Sequence, residues 1–169
     1  MTIEDTIVSD SNTGGYRNGG ASIHKGVELT LRSAITKEWE SSLSYSYTMH
    51  NYDNDVKLAN NEISGAPNNL ANARLFYIPK YLHGLNIMAE WQHVGEYWMD
   101  DAHTVNKYKG YSITNLKADY TYSKHLRVYA KVTNLTNERY SVNTRYAYGK
   151  SDYTPADPRG LYAGLEYKW

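Results

Sequence analysis

Leu161-Tyr162-Ala163-Gly164-Leu165-Glu166-Tyr167-Lys168-Trp169 changes chemistry at every step. In an extended strand, successive side chains point to opposite faces. Leu161, Ala163, Leu165, Tyr167 and Trp169 therefore share one face, and Tyr162, Gly164, Glu166 and Lys168 share the other. One side is apolar and the other is wet. Termini usually fray, so an alternation kept up to a final aromatic reads as the closing strand of a membrane β-barrel, with the ring at the interfacial aromatic belt.

The same period recurs upstream. Eight strand candidates lie near 2–9, 21–33, 39–50, 69–78, 84–97, 110–122, 126–135 and 159–169, and no segment sustains a helical period. Trp39, Leu43, Tyr45, Tyr47 and Met49 oppose Glu40, Ser42, Ser44, Ser46 and Thr48. Leu85, Ile87, Ala89 and Trp91 oppose Asn86, Met88, Glu90 and Gln92, with Met88 the one apolar intruder. Leu126, Val128, Ala130 and Val132 oppose Arg127, Tyr129 and Lys131. One set of faces is almost free of charge, and the other carries both signs. The first candidate is the weakest, because Ile3 and Ile7 share their face with Asp5. The connectors alternate between long (10–20, 51–68, 98–109, 136–158) and short (34–38, 79–83, 123–125). Membrane barrels have short periplasmic turns and long outer loops.

Composition agrees. The 169 residues include 18 Tyr and 4 Trp against a single Phe. Tyr and Trp suit places that are apolar at one end and wet at the other. Formal net charge is zero, so there is no electrostatic case for nucleic acid. Cysteine is absent, which excludes disulfide and thiolate chemistry. No stretch approaches the roughly 18 apolar residues of a membrane helix.

Several segments resemble the C-terminal part of a TonB-dependent outer-membrane receptor of the siderophore-receptor type. Val132-Thr133-Asn134-Leu135-Thr136-Asn137-Glu138-Arg139-Tyr140 is similar to the family's penultimate-strand segment. Asp157-Pro158-Arg159 resembles the Pro-Arg entry to its last strand. His24-Lys25-Gly26-Val27-Glu28-Leu29 resembles a Gly-Val-Glu strand start. Arg74-Leu75-Phe76-Tyr77 after Ala66-Pro67, and Gly110-Tyr111 leading to Asn115-Leu116-Lys117-Ala118-Asp119-Tyr120, fit two intermediate strands.

The resemblance implies an all-β, antiparallel transmembrane barrel of about 22 strands around an N-terminal plug. Residues 1–169 would supply the last eight strands, without the plug or the TonB box. An eight-strand piece of so wide a barrel has open edges, which lipid does not tolerate. The remaining strands, the plug, outer-membrane lipid and, through the missing N-terminal part, the TonB complex are the implied partners. No secretory signal is visible at Met-Thr-Ile-Glu-Asp-Thr-Ile-Val, so either a leader was removed or the gene continues upstream. The implied work is uptake of a scarce nutrient, most often an iron chelate (a ferric siderophore), across the bacterial outer membrane, without catalysis.

The candidate ligand contacts sit in long connectors. Tyr97, Trp98, Asp100, Asp101 and His103 combine stacking area with polar groups. Arg145, Tyr146 and Tyr148 place a cation amid aromatics, which suits an anionic chelate. For both patches, a solvated loop above an aromatic girdle is the competing reading. Leu161, Leu165, Tyr167 and Trp169 form the candidate membrane-assembly signal. Asp53, Asn54, Asp55 and Glu62 hint at calcium but lack the glycine and spacing of an EF-hand loop. The six His residues show no zinc spacing. His24, His50, His93 and His103 lie near loops, with haem ligation set against an ordinary barrel role. No resident metal or cofactor is expected, and no nucleophile elbow or paired-acid site is present.

Two other readings remain at this stage. One is a complete eight-stranded barrel acting as an adhesin or anchor, which requires the first and last strands to pair. The other is a soluble carbohydrate-binding sheet, with Trp39, Trp91 and Trp169 in its core.

Overall fold

A strand with one apolar face is stable only beside neighbours whose apolar residues fall on the same side. The computed structural model describes residues 1–4, 7–9 and 15–169. It forms β1 (Thr2–Ile3), β2 (Ile7–Ser9), β3 (Tyr16–Asn18), β4 (Ala21–Ala34), β5 (Trp39–Asp53), β6 (Asn69–Tyr77), β7 (Leu85–Val94), β8 (Tyr111–Thr121), β9 (Leu126–Thr133), β10 (Ser141–Ala147), β11 (Lys150–Pro155) and β12 (Gly160–Tyr167). There is no helix among the described residues. An eight-stranded antiparallel sheet runs β1-β4-β5-β6-β7-β8-β9-β12, and β2–β3 and β10–β11 form separate ribbons.

From β4 to β9 and on to β12 the register keeps the apolar faces in line. Leu31 sits opposite Leu43, Leu43 opposite Ala73, Ala73 opposite Trp91 and Leu75 opposite Ala89. The row continues from Ala89 to Leu116, from Leu116 to Val132 and from Val132 to Leu161. A slip of one residue at any pairing would turn a whole strand's apolar set to the wrong side. Lys25, opposite Met49 at the outer end, is the one charged residue between Ala21 and Ala34 that shares this face.

The opposite face is polar and paired. Glu90 is 9% exposed. Its carboxylate accepts hydrogen bonds from Arg74 Nε at 2.7 Å, Gln92 Nε2 at 3.0 Å, and Asn72 Nδ2 and Asn115 Nδ2 at 3.1 Å each. Asp119 is held between Lys117 at 3.5 Å and Arg127 at 3.4 Å. Charges placed together in this way can be half-buried because each has a partner.

The seven strand expectations from 21–33 onward match β4 to β9 and β12 closely. The first does not hold as one strand. β1 ends at Ile3, and β2 leaves the sheet to pair with β3. In register with β4, Thr2 falls opposite Ile23 on the apolar side and Ile3 opposite Ser22 on the polar side, so the expected apolar face of the first strand is not the one that meets the row; residues 5–6, and residues 10–14 of the first long connector, lie outside the described residues. The 136–158 connector likewise contains a ribbon, β10–β11.

Two competing readings lose their footing. β1 pairs with β4 and β12 with β9, and the two do not pair with each other, so the sheet does not close as an eight-stranded ring. Trp39, Trp91 and Trp169 are 38%, 40% and 102% exposed, which is no soluble core. The short turns 35–38, 78–84 and 122–125 lie at one end of the sheet, and the long connectors 54–68, 95–110 and 134–159 lie at the other.

Leu116→Arg places a cation in the middle of the apolar row and is expected to cost about 2–4 kcal/mol in a bilayer. Lys117→Gln, one residue along on the polar face, is expected to cost under about 0.5 kcal/mol. The folded fraction in lipid vesicles, read by gel mobility without boiling, checks the pair. Equal tolerance at the two positions would contradict the face assignment.

Candidate functional site

The long-loop end is a set of segments that lock one another. The β2–β3 ribbon docks through Arg17, whose guanidinium forks onto Asp55 at 2.9 and 2.5 Å. Asp55 is 4% exposed. It also accepts from the backbone N–H groups of Gly20, Lys57 and Leu58. This set of donors, Arg17 first, holds the Asp55 carboxyl well below the usual carboxylate range. Beside it, Val8, Tyr52 and Leu58 form a small apolar core with Ile63 packed against it.

A second clasp joins 54–68 to 95–110. Ser64 N–H donates to Asp101 Oδ1 at 2.8 Å, Asn61 Nδ2 donates to the Asp101 carbonyl at 2.9 Å, and Gly65 N–H donates to the Trp98 carbonyl at 2.9 Å. His103 Nε2 bonds the Glu62 carbonyl at 2.8 Å. Lys107 Nζ lies 3.1 Å from Glu62 and 3.4 Å from Glu96. Burial alone would raise the Glu62 carboxyl, but the Asn68 amide and Lys107 outweigh it and lower it. Burial works against the Lys107 ammonium, and Glu62 and Glu96 outweigh it and raise it. The Trp98 indole stacks on His103 at 3.9 Å, with the Lys107 ammonium 5.2 Å from the Trp98 ring centre.

A third joins 95–110 to the β10–β11 ribbon. Tyr146 N–H donates to the Met99 carbonyl at 2.8 Å, and Thr144 Oγ1 donates to the Tyr97 hydroxyl at 3.1 Å. Tyr97 and Tyr108 rings meet at 5.3 Å. Gly110 has φ 73°, and a Cβ there would lie 2.1 Å from the Val94 carbonyl oxygen. Only glycine fits where this loop re-enters the sheet.

The candidate residues therefore take different places. Tyr97 is buried at 6%, and Asp100, at 2%, accepts from Thr104 N–H and Oγ1. Asp101 joins two loops. Trp98 and His103 are stacked and half-buried. Arg145 is exposed, and its Nε lies 3.3 Å from Asp152 Oδ2. Tyr146 is half-buried. Tyr148, 68% exposed, takes φ 53° beside Gly149 at φ 73°, the turn that closes β10 onto β11. The structure thus brings 97–103 against 61–65 and 144–146 and leaves Tyr148 at a ribbon tip. Leu161, Leu165 and Tyr167 stand on the apolar face opposite Val132, Val128 and Leu126; Trp169 follows them, fully exposed.

The calcium reading finds two of its three carboxylates paired with cations, Asp55 with Arg17 and Glu62 with Lys107, while Asp53 accepts from Asn54 Nδ2 at 2.9 Å. Among the described residues, no group of three or more metal-ligating side chains occurs. Sequence reasoning named Asp55 and Glu62 only as calcium candidates; it missed the pairing of Arg17 with Asp55 and of Lys107 with Glu62, and it missed Tyr108, because these roles come from contacts between loops rather than from any local pattern.

The sequence profile described as TonB dependent receptor-like, beta-barrel, matches residues 1–135. The search of curated proteins finds no match. Among solved structures, the ferric yersiniabactin uptake receptor FyuA from Yersinia pestis is similar over 98% of this chain and 26% of its own, at 14% identity and a TM-score of 0.84. The siderophore receptor PiuA from Acinetobacter baumannii is similar over 99% of this chain and 25% of its own, at 21% identity and a TM-score of 0.76. The outer-membrane ferripyoverdine receptor of Pseudomonas aeruginosa, bound to ferripyoverdine, covers 98% of the chain at 17% identity and a TM-score of 0.74. The chain spans about a quarter of the length of these structures.

Asp55 has a depressed folded-state pKa, so its stabilising contribution is complete above the unfolded value of about 4 and fades as pH falls below it. The β2–β3 ribbon is expected to stay docked at pH 7 and loosen between about pH 4 and pH 2. Asp55→Asn removes the buried carboxylate that Arg17 pairs with and is expected to cost about 3 kcal/mol locally at neutral pH. Hydrogen exchange at the Leu58 amide should rise on the order of 100-fold in that variant. An unchanged rate would mean that the pair does not hold the ribbon.

Proposed function

From the premise that this chain belongs to the TonB-dependent receptor-like β-barrel family, we propose that it is the C-terminal wall and outer-loop portion of an outer-membrane receptor that takes up a ferric siderophore. What carries the reading is the apolar face that runs in register through seven strands, β4 to β9 and β12, with the long loops clasped together at one end. The solved structures similar in fold support it: their names describe receptors for iron chelates. Residues 1–169 form one barrel segment. The rest of the barrel, the plug and the TonB-contacting segment belong to the same protein upstream.

The chemistry is binding and translocation. The clasped loops present a preorganised rim, which lowers the ordering cost of capture. Trp98 and His103 offer a stacked aromatic pair, and Arg145, Tyr146 and Tyr148 offer a cation with aromatic area for an anionic chelate. Tyr97, Asp100 and Asp101 keep that rim in shape. Leu161, Leu165, Tyr167 and Trp169 serve as the assembly signal on the lipid face.

The gene is expected to continue upstream of Met1 into about fourteen further strands and a plug, the balance of a roughly 22-strand barrel. A stop codon preceded by an unrelated gene would overturn this. In the full-length receptor, Arg145→Ala and Tyr148→Ala are each expected to weaken binding of the ferric chelate by about tenfold. Iron-limited expression followed by titration with candidate ferric chelates measures it. Unchanged affinity in both variants would remove the ribbon from the ligand site.

A further inference from the structure

Two histidines that sequence spacing does not connect meet at the outer end of the polar face. His24 and His50 are register partners on β4 and β5. Their Nδ1 atoms lie 2.7 Å apart, with ring centres 5.0 Å apart and planes at 60°. The rings are therefore not stacked; they aim one nitrogen each at a common point. At that distance a single proton is shared, one ring donating and the other accepting.

The pair is oriented from outside. Ser22 Oγ lies 3.1 Å from His24 Nε2, and Ser22 is 2% exposed. A hydrogen bond on the far nitrogen holds the ring in place, and the hydroxyl can serve either tautomer, which is what a metal-binding imidazole requires. The neighbouring rungs are Ser22 opposite Tyr52 and Gly26 opposite Thr48. Neither carries a carboxylate, so the site offers neutral nitrogen rather than anionic oxygen. Imidazole suits copper, zinc and nickel, whereas calcium and magnesium want oxygen.

We propose that His24 and His50 bind one divalent transition-metal ion, copper(II) most tightly, through their two Nδ1 atoms; the shared proton moves to the far nitrogen of the donating ring, and the ion staples β4 to β5 beneath the Val8–Tyr52–Leu58 core. Metal–imidazole bonds of about 2.0–2.1 Å need the two nitrogens about 3 Å apart. The rung therefore opens by a few tenths of an ångström, within reach of a change in side-chain torsion. Two protein ligands leave the remaining positions to water. This site is independent of the iron-chelate reading, because it needs no chelate and lies on different residues.

The test is titration of the full chain encoded by the gene, in detergent, with copper(II) chloride and no chelate, followed by calorimetry and electron paramagnetic resonance. The expected result is one equivalent bound, with hyperfine splitting from two nitrogens. His24→Gln and His50→Gln should each weaken binding at least tenfold, Ser22→Ala by about tenfold, and His93→Gln not at all. Absence of stoichiometric binding, a signal from a single nitrogen, or undiminished affinity in the double His variant would each overturn the proposal. The nitrogen count is read on the unaltered protein, so a variant that fails to fold leaves the test intact.

Discussion

Backbone hydrogen bonding is the constraint on which the rest of this molecule depends. In hydrocarbon an N–H or C=O has no water to turn to, and each one left unpaired costs several kcal/mol. Strands meet that demand only by pairing on both sides. β5 to β9 do so, whereas β4 meets β1 only at Ser22 and Ile23, and the pairing fixes the register. Register in turn decides which side chains share a face, and the faces decide what each side can touch. β1 and β12 pair on one side only, so the same constraint calls for further strands beyond them.

The two faces then divide the chemistry. On the apolar side, Leu43, Ala73 and Trp91 form a continuous row that a charge cannot enter cheaply. On the polar side, Glu90 can lie nearly buried because Arg74, Asn72, Gln92 and Asn115 fill its acceptor capacity. Asn115 also accepts from the Asn134 N–H at 3.0 Å, which ties this network to the entrance of the longest connector. There Asn134 takes φ 51° and Asn137 φ 54°. Asn134 binds both the N–H and the carbonyl of Glu138 through its side chain, and Asn137 accepts from the Arg159 N–H. The Asn-Leu-Thr-Asn-Glu segment is thus a turn whose two asparagines tolerate left-handed backbone and cap it themselves.

The sheet was legible in the sequence because a half-buried strand writes its structure at a period of two. Leu126 to Val132 and Leu161 to Tyr167 need only alternation to declare both type and face. The ribbons were not legible. Tyr16–Asn18 and Ser141–Ala147 lie in polar stretches with no continuous apolar face, so periodicity had nothing to report. The loop clasps were further out of reach. Arg17 and Asp55 are 38 residues apart in sequence, and Asp101 and Ser64 are 37 apart; nothing local marks either pair. Asp100 reads as an exposed ligand contact, yet it caps its own turn through Thr104.

The surplus of tyrosine over phenylalanine follows from the same division. A phenyl ring is satisfied by any apolar neighbour, while a phenol must also find a polar partner. Tyr45 stands in the apolar row, yet its hydroxyl donates to Asn69 Oδ1 at 2.7 Å, near the long-loop end. Tyr97 is buried, and its hydroxyl accepts from Thr144. Tyr108 sits between loops and accepts from the Ser141 N–H at 2.8 Å. In each case the ring supplies contact area and the oxygen anchors to a second segment. A protein that must join a greasy wall to a watery rim needs side chains that work in both media, and tyrosine is the residue that does so without carrying a charge into the wall.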